Sequence, residues 1–142
     1  MKTVLDTNIV LDLFVFSDAA ALPLRLALQE GAVQWIATPP MREELLRVLA
    51  YPQIVKSLTH HQIEAKHVMA QFDQRAQLQD VAPKAPVTCK DPDDQKFIDL
   101  AVAQKAQLFS KDRAVLCMAK RLLGHGVIAL SAMKSVASGS NG

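Results

Sequence analysis

Lys2-Thr3-Val4-Leu5-Asp6-Thr7-Asn8-Ile9-Val10 is the stretch whose reading decides the fold. A short apolar, β-branched run reads as a buried strand and stops at Asp6. Thr7 and Asn8 follow, and Ile9 opens an apolar run read as helix to Phe16. Acids are depleted in strands, so a carboxylate closing such a run needs a reason. In open α/β folds ligands bind beyond the carboxyl ends of the parallel strands. If Asp6 belongs to a site, other acids should recur at equivalent strand ends.

The rest of the chain alternates in the same way. Ser17-Asp18 is expected to cap a helix reaching Glu30, with Gly31 behind it. Val33–Ala37 reads as the second strand. Thr38, Pro39 and Pro40 open a helix over Met41–Ala50, which Tyr51-Pro52 ends. Thr59 and Gln62 have the spacing of a capping box, so a helix is expected from there to about Gln77. Leu78–Ala82 is a short candidate strand and Pro83–Asp93 a polar, proline-containing loop. Asp94–Lys105 reads as helix, Gln107–Ser110 as strand, Val115–Leu123 as helix and Val127–Leu130 as a last strand. Ser131 is expected to cap a short helix. Most of these strands are continuous apolar runs, which favours a mainly parallel sheet covered on both faces.

Composition sets limits. The 142 residues include 50% hydrophobic and 21% charged side chains, ordinary globular usage. This length fits a single domain over 1–137, with 138–142 as a disordered tail. A net charge of +2 is too small for gripping nucleic acid by bulk charge. Cys89 and Cys117 form no CxxC pair, which leaves two free thiols and argues against zinc or a disulfide framework. No apolar stretch reaches membrane-spanning length and no secretory leader is evident, so a cytoplasmic protein is expected.

Four acids are expected along one edge. In a parallel sheet with right-handed crossovers every strand's carboxyl end lies on the same side. Asp6 and Asp112 follow strands, while Glu44 and Asp94 lie in the first turns of helices that start from that edge. Converging carboxylates repel one another unless protonated or bridged by a cation. An all-oxygen set without His or Cys suits Mg²⁺ or Mn²⁺. His60 and His67 stand two helical turns apart, too far for one ion. Lys111 and Arg113, on either side of Asp112, are candidate phosphate contacts.

These motifs resemble the PIN-domain nucleases, in particular the small VapC-like toxins of bacterial toxin–antitoxin pairs. The resemblance is carried by Val4-Leu5-Asp6-Thr7-Asn8, Glu43-Glu44-Leu45-Leu46-Arg47-Val48-Leu49, Asp91-Pro92-Asp93-Asp94-Gln95-Lys96-Phe97 and Ser110-Lys111-Asp112, in the family's order over nearly the whole chain. It implies a three-layer α/β/α sandwich around a mainly parallel sheet of four to five strands. It also implies a Mg²⁺- or Mn²⁺-dependent endoribonuclease cutting single-stranded RNA. Asp6, Glu44, Asp94 and Asp112 match the family's acidic quartet, with Asp6, Asp94 and Asp112 as metal ligands. Thr7, Asn8 and Ser110 match positioning residues. Glu44 is preferred to Glu43, and Asp94 to Asp91 and Asp93. A cognate antitoxin and a homodimer are the implied partners. Many relatives carry a further acid two residues after the position of Asp112, where this chain has Ala114. Two other readings compete: a non-catalytic RNA- or partner-binding module, and a phosphatase with Asp6 as nucleophile. The second lacks the usual second acid, because Asn8 occupies its place.

Overall fold

A computed structural model describes residues 1–133. Five strands form one sheet: β1 Lys2–Leu5, β2 Gln34–Ala37, β3 Gln77–Leu78, β4 Gln107–Phe109 and β5 Ala129–Leu130. Their spatial order is β3-β2-β1-β4-β5, and every pairing is parallel. Among the described residues eight α-helices connect and flank them: α1 Thr7–Phe14, α2 Leu22–Gln29, α3 Pro39–Val48, α4 Pro52–His60, α5 Ala65–Arg75, α6 Gln95–Gln104, α7 Arg113–Leu116 and α8 Ala119–Leu123. The result is the expected α/β/α sandwich.

The strand order places β1 in the middle. After β1 the chain winds outward through β2 to β3, and then crosses back to begin a second run at β4 on the other side of β1. Right-handed connections therefore leave the ends of β1 and β4 in opposite directions, the switch point at which open parallel sheets bind ligands. The two strands are held in register by the pairs Thr3–Gln107, Val4–Leu108 and Leu5–Phe109. Asp6 N–H extends the ladder to the Phe109 carbonyl at 2.9 Å. At the amino end of this pair the buried Gln107 amide donates to Thr3 Oγ1 at 2.9 Å, so neither polar group is stranded.

The core explains why the helices stay on the sheet. Val4, Ile36, Leu108 and Phe109 are wholly buried, and Ile98, Leu100 and Ala101 of α6 pack beside them. Trp35 stacks on Phe14 of α1 with ring centres 6.1 Å apart and meets Phe72 of α5 edge-on at 5.1 Å. Arg42 of α3 makes a two-pronged bond to Asp73 of α5, at 2.8 and 2.9 Å. This exposed pair aligns two helices more than it stabilises them.

Three local readings are corrected. The expected helix from Thr59 to Gln77 is two helices, α4 and α5. Tyr51 is extended and Pro52 takes the first helical position, so α4 begins at the proline that was read as an end. Thr59 sits in the last turn of α4, where its hydroxyl bonds back to the Val55 carbonyl, and Gln62 adopts a left-handed φ of 57° that turns the chain. The helix expected over Val115–Leu123 breaks into α7 and α8 around Cys117-Met118. The third strand is only Gln77–Leu78, overlapping the expected Leu78–Ala82 at Leu78 alone. The short helix after Ser131 and the 138–142 tail lie outside the described residues, apart from Ser131 to Met133, which are not helical.

Candidate active site

Asp6 ends β1 and caps α1. Its Oδ1 accepts the Asn8 backbone N–H at 3.3 Å, and its Oδ2 accepts the Ser110 hydroxyl at 2.7 Å. Ser110, at the end of β4, is fully buried, and its oxygen also accepts the Asp112 N–H at 3.0 Å. One hydroxyl thus ties together the acids that follow the two central strands. Asp112 in turn caps α7 through the Ala114 N–H at 2.9 Å.

Glu44 reaches the same edge from the second turn of α3. Its Oε2 accepts the Thr7 hydroxyl and its Oε1 accepts the Lys96 ammonium at 2.6 Å. Lys96 also donates to the Asp93 carbonyl. Glu43 is exposed, so the expected choice between the neighbouring glutamates is the inward one. Lys96 is thus the internal counter-charge of Glu44.

Asp94 stands at the head of α6, 7% exposed. Its Oδ2 is buried and has no hydrogen-bond partner. A buried carboxylate oxygen in that condition is costly and calls for a proton or a cation. Burial, reinforced by Asp112, Asp6 and Asp91, raises its pKa from the ordinary 3.8 to about 8. The neighbouring Asp112 moves down, chiefly through its hydrogen bond with Asp94. Asp6 moves up because burial outweighs the help of Ser110 and Asn8, and the charges of Glu44 and Asp112 add to it. The cation-free edge is therefore charge-frustrated.

Asp91, set aside in the sequence reading, joins this edge. Asp91, Asp94 and Asp112 each offer a carboxylate oxygen, all within 4.8 Å of one another. The cue in the sequence was slight: Asp-Pro-Asp is a turn signal, and Asp91 does cap a 3₁₀ turn at the Asp93 N–H, 2.9 Å away. Nothing local says that the turn faces Asp112.

The other positions fall differently. The Asn8 side chain is exposed, and its visible contribution is its backbone N–H. Lys111 pairs with the buried Asp12 at 2.5 Å, while Arg113 is exposed. A cavity of about 280 Å³ lies beside Asp12, Asp18 and Arg25. It holds none of the clustered carboxylates, so the chemistry of the edge outweighs the shape of that hollow. His60 and His61 sit edge to edge at the end of α4, with Phe16 against His61.

The comparisons agree with this architecture. A chain of the crystal structure of VapBC2 from Rickettsia felis, bound to a DNA fragment from their promoter, superposes with a TM-score of 0.59. The match covers 91% of this chain and 97% of that one, at 14% sequence identity, a likeness of fold. Among curated proteins no sequence matches. A family model described as PIN domain matches residues 2–114, which span the first strand through the acid after the fourth. The chain belongs to the PIN domain family.

Proposed function

We propose that the protein is a Mg²⁺- or Mn²⁺-dependent endoribonuclease that cuts single-stranded RNA. The observation that carries this reading is the buried, unpartnered Asp94 Oδ2 among carboxylates gathered at the end of the central strands. The donors are hard oxygens, and a divalent cation relieves their mutual repulsion. Asp6, Asp94 and Asp112 are the ligands in this reading, with Glu44 completing the site. Carboxylate oxygens that already accept a hydrogen bond keep a second lone pair for this purpose. When bound, the cation supplies Lewis acidity and charge neutralisation to in-line attack of water on a phosphodiester, leaving a 5′-phosphate.

The chain's own residues do the positioning. Ser110 fixes Asp6 and Asp112 relative to each other. Thr7 and Lys96 hold Glu44 from two sides. Arg113 is exposed close to Asp112 and suits a phosphate contact; Lys111 would first exchange its bond to Asp12. An aspartyl-phosphate route has less support, since Asp6 is 4% exposed and position 8 holds no second acid.

The biological setting follows from the same reading. As a toxin of a toxin–antitoxin pair, the chain would be a cytoplasmic homodimer forming one domain over 1–137. An antitoxin segment would cover α2 and α3, where Leu22, Leu26 and Leu46 are exposed, and Tyr51 just beyond α3. Among the described residues no helix is long and apolar enough to cross a membrane. Ala114 favours one alternative, a binding module without cleavage.

Unstructured RNA incubated with the purified protein and Mn²⁺ tests the choice. Cleavage should appear, stop with EDTA, and fall at least about 100-fold in Asp6→Asn. Cleavage that survives both treatments sinks the mechanism, and RNA binding with no cleavage under any divalent ion selects the alternative.

A further inference from the structure

We infer that Asp91 is a cation ligand of this site, supplying the carboxylate that Ala114 does not. The inference rests on the metal-dependent reading above and extends it to a residue outside the acidic quartet. Three carboxylates meet here, and each has an oxygen to give. Asp91 Oδ1 holds the Asp93 N–H and Asp112 Oδ1 holds the Ala114 N–H, while the Asp112 carboxyl also faces Asp94. Asp94 Oδ2 is buried with no partner. By contrast, Asp6 accepts a bond on both oxygens. Oxygens held by one ion at about 2.1 Å lie at most about 4.2 Å apart, so oxygens already within 4.8 Å of one another need to draw in by only a few tenths of an ångström to share it.

The loop that carries Asp91 is fastened in place. Gln95 accepts the Cys89 N–H at 2.6 Å and donates to the Val87 carbonyl at 2.9 Å. The Cys89 thiol donates to the Ala114 carbonyl at 3.4 Å. Position 114 thus contributes its backbone, as the anchor that brings the Asp91 loop against Asp112.

Mn²⁺ binding measured by calorimetry, without RNA, tests this. Asp91→Asn keeps an oxygen for the Asp93 N–H, and Asp91→Ser is a second capping variant should the first fold poorly. Both should weaken Mn²⁺ about tenfold or more, while Asp93→Asn, an exposed neighbour, should stay within about twofold of the parent. Melting in EDTA checks that each variant is folded. Parent-like affinity in the Asp91 variants, with binding lost in Asp94→Asn, overturns the role of Asp91 and leaves the cation site standing. A parent chain that binds no Mn²⁺ overturns both readings.

Discussion

Ser110 shows how much one small side chain does at this edge. Its hydroxyl donates to Asp6 and accepts from the Asp112 backbone, with no exposure to water. Ser110→Ala leaves a buried carboxylate oxygen and a backbone N–H without partners. The expected cost is about 1–3 kcal/mol, read as a lower urea midpoint followed by the fluorescence of Trp35. Mn²⁺ affinity should fall as well, because Asp6 and Asp112 lose their common anchor. Asp6 and Asp112 stood out in the sequence as acids just past apolar strands, whereas Glu44 and Asp94 could be placed at the same edge only through the direction of the helices that carry them. Asp91 was not legible in this way, because its place depends on the path of a loop held by Gln95 and Cys89, contacts that no local pattern announces.

Among the elements, the central ones were the easiest to foresee. β1, β2, β4 and α6 are continuous or periodic apolar runs, and their burial enforces what their patterns imply. The α4–α5 hairpin was harder. Pro52 both ends one helix and begins the next, and Thr59 with Gln62 imitates a capping box while the chain is turning. Backbone conformation decides such points, and the turn at Gly31 isolates that effect. Gly31 has a φ of +75°, and an added methyl group would meet nothing within 4 Å. Gly31→Ala should therefore cost about 1–2 kcal/mol through the backbone alone. Chemical unfolding provides the measurement, and an unchanged midpoint would show that the α2–β2 turn relaxes freely.

At the scale of the whole molecule the acidic edge sets a pH dependence. In the cation-free fold Asp94 keeps its proton up to about pH 8, whereas the unfolded chain releases it near 3.8. Asp6 is displaced in the same direction. Between those two pH values the folded state binds more protons, so stability falls as pH rises through the window. Asp112 moves the other way, and its contribution is lost only in acid below that window. Thermal midpoints in EDTA should therefore drop from about pH 5 to about pH 8, and saturating Mn²⁺ should flatten or reverse the slope. A midpoint that climbs with pH in EDTA would contradict the charge balance described for the site.

The bond from Ser110 to Asp6 spans 104 positions of the chain. Synthesis delivers Asp6 104 residues before Ser110, so the edge has no shape while that stretch is being made. Until β4 slides in beside β1, Asp6 lacks its anchor and Asp94 and Asp112 lack a common frame. The long-range pairing that slows folding also acts as a timer, withholding the assembled acids until synthesis has passed the fourth strand.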